Sequence, residues 1–378
     1  SMLLSGKTVV LGVSGSIAAY KVPTLARLLK KQGCNVQVLM TQNATQFINP
    51  ITFESLTGNK CLIDTFDRNF QYSVEHVALA KQADLVMLTT TVMACPCKKM
   101  ISPAMNHNMY HNPIVQDNIR KLERFGYEMI APDRGMLANG DDGDGRMPEP
   151  EVLFEYILRE LAFEKDLAGK KVLVTAGATM EAIDPVRYIT NHSSGKMGCA
   201  LAKAAMQRGA KVTLVAGHME VLPPMFVDVV NVKSAADMFE AVTKLAPEQD
   251  IIVKAAAVAD YTPVAVADNK IKKSDDDMKI ELKRTQDILG YLGQHKRDGQ
   301  VICGFSMETQ NVIKNSEKKL TNKNCDMICA NSLKTAGAGF KTDTNVITLI
   351  TEGGAVELPI MTKEQAAHRI LDELAKMI

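Results

Sequence analysis

Residues 171–198 read KVLVTAGATMEAIDPVRYITNHSSGKMG, and this stretch decides the fold because a buried strand, a glycine loop, a polar loop and a helix follow one another in it. The apolar run 172–174 predicts an interior strand, and Gly177 lets the backbone turn where a side chain would obstruct a ligand. Residues 191–195 then offer hydroxyl, amide and main-chain N–H donors before a helix that begins near Met197. Anions favour such a helix start, so we predict a nucleotide-phosphate site, with an ordinary capped turn as the alternative.

Composition sets the class of protein. The chain has 378 residues, of which 46% are hydrophobic, so it can bury two cores and we expect two domains. A formal net charge of +1 without a long basic block argues against nucleic acid as a partner. No apolar run approaches the roughly 20 residues that span a bilayer, and no signal-peptide pattern is present, so we predict no membrane partner and a cytoplasmic location.

The eight cysteines lack regular spacing, which is typical of reduced thiols rather than of a disulfide framework. Cys95 and Cys97 form one close pair, and Cys325 and Cys329 form another. Neither pair has histidines at the spacing of a zinc finger. We therefore predict no metal ligands in this chain.

Both halves of the sequence alternate strands and helices. The first half predicts a strand at 8–13, a glycine loop, one helix over 17–32 and a strand at 35–40, and the second half restarts at Lys171 in the same way. A hairpin is predicted over 345–351 and 356–358. We therefore predict an α/β protein with two doubly wound, Rossmann-like domains, residues 1–165 and 166–378, separated by the charged turn near 165.

A dinucleotide-dependent dehydrogenase is the first rival function for two such halves. That site needs an acidic residue at the end of the second strand, which binds the ribose hydroxyls. Here the second strands end in MTQ at 40–42 and VAG at 215–217. The sequence therefore argues against a nicotinamide site.

Ordered motifs along the chain resemble one known family, the bacterial bifunctional phosphopantothenoylcysteine decarboxylases and phosphopantothenate-cysteine ligases of coenzyme A biosynthesis. The resemblance covers nearly the whole chain. Besides the opening stretch, it rests on GVSGSIAAYK at 12–21, SPAMNHNM at 102–109, AAAVADY at 255–261, KIKK at 270–273 and GFSMET at 304–309. It implies a flavoprotein decarboxylase domain followed by a ligase domain.

For the first half the resemblance implies FMN as cofactor and decarboxylation of 4'-phosphopantothenoylcysteine to 4'-phosphopantetheine. His76 would be the catalytic base and Asn106 would hold the substrate carboxylate, although a solvated His and an Asn-rich turn are the alternatives from the residues alone. The implied FMN-binding residues are Gly12, Ser14, Gly15, Ser16, Thr89 and Met105.

The first half departs from the family pattern at two places. A loop that the family carries after Met87 is absent, and Asn139 stands where the family has a reactive cysteine on a flap. Gly140, Gly143 and Gly145 fit a mobile lid. The alternative is that this half is an impaired or regulatory binding module and that only the ligase is active.

For the second half the resemblance implies a ligase that uses CTP and Mg2+. The carboxylate of 4'-phosphopantothenate would form an acyl-cytidylate, and the amine of cysteine would then displace CMP. Asn191 would act on the acyl-cytidylate and Lys270 in the second step, against a turn Asn and a solvated basic run as alternatives. The implied nucleotide-binding residues are Gly177, Ala178, Asp260, Lys270, Phe305, Lys323 and Lys341. Because in the family the flavin half trimerises and the ligase half pairs, a homo-oligomer, as large as a dodecamer, is implied.

Overall fold

The computed structural model describes residues 2–63, 82–87, 95–136, 142–273, 277–308, 311–332 and 344–378. The chain forms two compact units, Ser1–Phe163 and Glu164–Ile378. Across the described ranges, every helix is too short or too polar to pass through a bilayer.

The first unit is built on a parallel sheet with the strand order β2-β1-β3-β4-β5. The strands of this sheet are β1 (Thr8–Val13), β2 (Asn35–Met40), β3 (Leu85–Met87), β4 (Lys98–Ile101) and β5 (Glu128–Met129). The strands β6 (Asp133–Met136) and β7 (Asp142–Arg146) form a separate antiparallel pair. The helices of the unit are α1 (Val22–Lys31), α2 (Pro50–Thr57), α3 (His107–Tyr110), α4 (Pro113–Arg124) and α5 (Pro150–Leu161), with 3-10 turns at Ile17–Lys21 and Gln42–Gln46.

The helix predicted over 17–32 is wrong in its first part. Residues Ile17–Lys21 form a 3-10 turn, and α1 begins only at Val22 with Pro23 in its first turn. Proline has no N–H to donate to the carbonyl of Ala19, and its ring clashes with that carbonyl in a continuous α-helix. A proline at the helix start costs nothing, because the N–H that it lacks would have no partner there.

The second unit has strands β8 (Lys171–Ala176), β9 (Met180–Ala182), β10 (Tyr188–Thr190), β11 (Lys211–Ala216), β12 (Asp228–Asn231), β13 (Ile251–Lys254), β14 (Tyr261–Pro263), β15 (Leu282–Arg284), β16 (Val301–Glu308), β17 (Met327–Ser332), β18 (Thr344–Asn345), β19 (Ile347–Thr351), β20 (Gly354–Glu357) and β21 (Met361–Thr362). Its helices are α6 (Lys196–Gln207), α7 (Ala235–Leu245), α8 (Ile288–Gln294), α9 (Val312–Asn322) and α10 (Lys363–Ala375), with a 3-10 turn at Ala246–Glu248.

The main sheet of this unit has the order β12-β11-β8-β13-β16-β17-β19-β20. It is parallel from β12 to β17, and the hairpin β19–β20 adds two antiparallel strands. Successive residues of a strand point to opposite faces. Accordingly, Val172 and Val174 pack in the cluster that contains α6 and α10, whereas Leu173 packs in the cluster that contains α7 and α8. Helices cover both faces, and the predicted α/β class with doubly wound sheets is confirmed.

The β9–β10 hairpin was not predicted from the sequence. Each of its strands has three residues, and Ile183 and Asp184 each donate their backbone N–H to the carbonyl of Arg187 at the turn between them. Strands of three residues are too short to show an apolar alternation. The hairpin matters because it carries the chain from β8 to the polar loop at 191–195.

Candidate functional site

A cavity of about 410 Å³ opens at the carboxyl ends of β8, β13 and β16. β8 pairs with β11 on one side and with β13 on the other, so the cavity lies where the strand order reverses. Open α/β sheets bind ligands at this position. The residues that line it include Gly177, residues 191–198, residues 254–258, Asp260, Phe305 and Asn331.

Two glycines shape the loops of this cavity. Gly177 has φ +79°, and a Cβ there would lie 2.4 Å from the carbonyl oxygen of His218. Gly195 also has φ +79°, and its Cβ would lie 2.6 Å from Cγ of Met219. The interpretation that Gly177 makes room for a ligand is therefore incomplete, because the protein's own backbone already requires glycine at this position.

Asn191 and Asn331 present amide groups to the cavity. Nδ2 of Asn191 donates to the carbonyl oxygen of Val258 at 3.3 Å, which orients the side chain. Asn331, only 7% exposed, has an Oδ1 that accepts no hydrogen bond from any described residue. A buried acceptor without a donor is costly, so this atom fits an N–H or O–H of a ligand. Asn331, which lies in β17, was not predicted as a site residue, although the pair Ala330-Asn331 belongs to the motifs that carry the family resemblance.

A second cavity, of about 400 Å³, shares Lys254, Val258 and Asp260 with the first. Its other charged residues are Arg284, Asp287, Lys319 and Lys323. The cavities are adjacent, and basic residues outnumber acidic ones in the second, as a polyphosphate requires.

Lys254 and Lys319 were not predicted as site residues. The pKa of Lys254 is lowered to about 8, mainly because the residue is buried and secondly because the positive charge of Lys319 is near. Nζ of Lys319 donates to the carbonyl oxygen of Phe305 at 3.1 Å, and Nζ of Lys323 donates to the Asp287 carboxylate. The ammonium groups are thus held by the strand and helix ends around the second cavity.

The structure does not bring every predicted residue to these cavities. Ala178 is buried, and its backbone exchanges hydrogen bonds of 2.9 and 2.8 Å with His218, so it lines neither cavity. Lys270 is exposed and lines neither cavity. Gly177, Asn191, Asp260 and Phe305 line the first cavity and Lys323 lines the second, whereas Lys341 lies outside the described residues.

A third cavity, of about 290 Å³, lies at the carboxyl end of β1 in the first unit. Gly12, Ser14, Ser16 and Met105 line it, and Oγ of Ser16 caps the following 3-10 turn by accepting from the N–H of Ala18. Oγ of Ser102, also in the lining, is buried without a partner among the described residues. A ligand that carries both donors and acceptors would satisfy these hydroxyls.

The remaining predicted residues of the first unit lie around this cavity or outside the described ranges. Gly15 is not in the lining and abuts Asn43, and Asn106 caps α3 by accepting from the N–H of Asn108 at 2.9 Å. His76, Thr89 and Asn139 lie outside the described residues.

Gly143 and Gly145 bring the β6–β7 hairpin against the segment that carries Asn106. The N–H of Met105 donates to the carbonyl of Gly145 at 3.0 Å, and a Cβ on Gly145 would lie 2.0 Å from the carbonyl oxygen of Met105. A Cβ on Gly143 would lie 2.7 Å from Cγ of His107. These glycines therefore permit close packing, a role that the prediction of a mobile lid did not include.

Known proteins match the whole chain. A family described as Flavoprotein matches residues 1–98 and 84–162, and the family DNA/pantothenate metabolism flavoprotein C-terminal domain matches residues 167–378. The coenzyme A biosynthesis bifunctional protein CoaBC of Bacillus subtilis (strain 168) is 43% identical over an alignment of 399 positions, which covers 99% of this chain and 98% of that protein. The protein of the same name from Escherichia coli (strain K12) is 38% identical over 396 residues, with coverage of 99% and 98%. A crystal structure of the C-terminal domain of a CoaBC protein is 43% identical and covers 57% of this chain and 98% of that one, with a TM-score of 0.49.

We predict that the amine of Lys254 loses its proton near pH 8 in the unliganded protein, because burial disfavours the charged form. Reductive methylation with a 13C-labelled methyl source and NMR titration measures this midpoint. The resonance is assigned by its absence in Lys254→Arg. A midpoint above about 10, the ordinary range of lysine, would contradict the prediction.

Proposed function

Because the chain belongs to the family of coenzyme A biosynthesis bifunctional proteins, we propose that the three cavities divide the two reactions of that family between them. The protein acts in coenzyme A biosynthesis. Its ligase joins 4'-phosphopantothenate to cysteine with CTP, and its FMN-dependent decarboxylase converts 4'-phosphopantothenoylcysteine to 4'-phosphopantetheine. We assign the decarboxylase to residues 1–165 and the ligase to 166–378.

The ligase uses the two adjacent cavities of the second unit. The observation that carries this assignment is that Lys254 and Asp260 line both cavities, so a triphosphate in the basic cavity lies next to a ligand beside Asn191. Lys254, Lys319 and Lys323 would neutralise the phosphates together with Mg2+. Cations at this place stabilise the charge that develops as pyrophosphate leaves.

The chemistry proceeds in two displacements. A carboxylate oxygen of 4'-phosphopantothenate attacks the α-phosphorus of CTP, and the bond to the bridging oxygen of pyrophosphate breaks. The amine of cysteine then attacks the acyl carbon, the bond to the CMP oxygen breaks, and the ammonium nitrogen loses a proton to solvent. Asn191, whose amide is held by the Val258 carbonyl, would bind the acyl-cytidylate, and Lys270 would stabilise the oxyanion of the second displacement.

The roles of Asn191 and Lys270 predict different defects. Asn191→Ala should lower both pyrophosphate and CMP release by about 100-fold, because it removes a contact to the shared intermediate. Lys270→Ala should release pyrophosphate but little CMP, so acyl-cytidylate accumulates. Rapid-quench assays with CTP, 4'-phosphopantothenate and cysteine measure both products.

Lys279→Ala is the matched control, since Lys279 is an exposed lysine further along the same connection. It should leave both product yields unchanged. Equal loss of both products in Lys270→Ala, or normal turnover of Asn191→Ala, would refute the assigned roles.

The third cavity fits FMN. Gly12, Ser14 and Ser16 line it at a strand end, and the buried Ser102 hydroxyl lacks a protein partner among the described residues. These groups, with Met105, would bind the cofactor, while Asn106 would hold the substrate carboxylate beside it. When bound, FMN supplies the redox chemistry that decarboxylation of the cysteine moiety requires. The roles of His76, Thr89 and Asn139 remain predictions.

Gly15→Ala should weaken FMN binding about tenfold or more, because the added methyl would lie 2.7 Å from Cβ of Asn43 and push the loop off its position. Visible absorbance of the purified protein and equilibrium dialysis against FMN measure the loss. Gly353→Ala, where the nearest atom is the Thr351 hydroxyl at 3.5 Å, is the control and should retain FMN. Undiminished FMN binding by Gly15→Ala would contradict the assignment.

We also propose that the chain forms a homo-oligomer, with trimeric flavin halves and paired ligase halves as the resemblance implies. A dodecamer, with four such trimers joined through six pairs of ligase halves, satisfies both contacts. Light scattering of the full chain measures the mass.

A further inference from the structure

Asp184 is a buried carboxylate between β9 and β10. It is 3% exposed, and its Oδ1 accepts the backbone N–H groups of Val186 and Arg187, both at 2.8 Å. Its Oδ2 accepts Nε and Nη2 of Arg187 at 3.0 and 2.6 Å. The Arg187 guanidinium holds the pKa of Asp184 well below its usual range. The carboxylate therefore stays ionised and keeps the turn rigid.

The same ion pair holds a segment 87 residues further along the chain. The N–H of Ile271 donates to Oδ2 of Asp184 at 3.1 Å, and Nη2 of Arg187 donates to the carbonyl of Ile271 at 2.9 Å. Both backbone polar groups of Ile271 are thus engaged by one ion pair. Ile271 itself is 36% exposed.

Lys270 precedes this anchored residue. It is exposed and lies in an irregular segment, and the N–H of Ala267 donates to the carbonyl of Ile183 at 3.0 Å as a second tie to the same turn. The turn continues into β10, which ends directly before Asn191. The ion pair therefore links the backbones that carry Asn191 and Lys270.

We propose that Asp184 is a positioning residue: through the backbone of Ile271 it fixes the base of the segment from which Lys270, which itself lines neither cavity, acts in the second step of the ligase. This inference rests on the role of Lys270 under the proposed function. Without the bond to Ile271, the lysine must be ordered at each turnover, and the step that uses its charge slows.

Asp184→Asn tests the proposal because of its hydrogen-bonding chemistry. The Asn oxygen can still accept from the backbone N–H groups of Val186 and Arg187, but its amide NH2 faces the N–H of Ile271 and the guanidinium donors of Arg187, donor against donor. The lost charge-assisted bond predicts a 10- to 100-fold slower CMP release. Pyrophosphate release should remain within about threefold of the wild-type rate, because the first step does not use Lys270. A merely structural defect would instead lower the release of both pyrophosphate and CMP.

Ile271→Pro removes the same N–H while Asp184 and its turn stay in place, and it covers the case in which Asp184→Asn fails to fold. Asp268→Asn, an exposed carboxylate of the same segment, is the control and should behave as wild type. If Lys270→Ala stalls the second step and neither tether variant does, or if both lose the two products equally, the positioning role is wrong. If Lys270→Ala itself does not stall, the proposed role of Lys270 fails, and this inference fails with it.

An independent cluster lies in the first unit, where His107 at the start of α3 and His111 directly after its end lie beside Asp144 of β7. Nε2 of His111 lies 2.9 Å from Oδ2 of Asp144, and the N–H of Asp144 donates to Nδ1 of His107 at 3.1 Å. The imidazole centroids are 4.5 Å apart, and one possible ligand atom from each residue lies within 4.8 Å of the others.

The geometry points to a site for a divalent transition-metal ion such as Zn2+, with two imidazoles and one carboxylate as ligands. This donor set suits Zn2+, and the 2.9 Å separation needs to open only slightly to admit an ion with bonds of about 2.0–2.2 Å. The side chains of His111 and Asp144 are 47% and 39% exposed, which leaves room for water as a further ligand. The ion would join the β6–β7 hairpin to the helix that Asn106 caps, and it would correct the prediction that the chain has no metal ligands.

Titration calorimetry with ZnCl2 on the chelator-treated full chain tests the site. Wild type should bind one equivalent more than His111→Asn or Asp144→Asn, with an affinity at least tenfold higher than any residual binding at that site. The control His295→Asn removes an exposed imidazole of the second unit and should match wild type. Equal zinc binding by wild type and both cluster variants would overturn the site.

Discussion

The reversal of strand order beside β8 is the constraint on which the ligase cavities depend. β8 is bonded in parallel to β11 and to β13, and the chain leaves these strands toward opposite sides of the sheet. A gap therefore opens at their carboxyl ends. Two adjacent cavities fill this gap, and the polar groups of Asn191, Asp260 and Asn331 line it because the strands and loops that carry them end there.

Sequence patterns predicted the sheets well, because an apolar run such as 172–174 is satisfied only by burial on both faces. The helices Pro150–Leu161 and Ala235–Leu245 begin at start signals that the sequence displays. Proline in the first turn marks one start, and the capping box of Ser234 with Asp237 marks the other. The β9–β10 hairpin escaped prediction because side-chain hydrogen bonds of Asp184, rather than periodicity, specify its turn.

The candidate site was only partly predictable. Four predicted residues of the first cavity come from separate loops or strands, and each lies in a recognisable motif: Gly177, Asn191, Asp260 and Phe305. Lys254 ends a buried strand and Lys319 lies on a helix, where lysine is typical of a solvent-facing position; only tertiary packing places both at a cavity. The family pattern alone indicated Lys270, and the structure shows its neighbour anchored by a distant ion pair that no local pattern encodes.

Each hydrophobic cluster of the described residues lies wholly inside one unit, two in the first and two in the second. A substitution that loosens one cluster therefore removes apolar burial from its own half alone. A single chain keeps the amounts of the two halves equal, while substitutions in the core of one half leave the apolar clusters of the other unchanged.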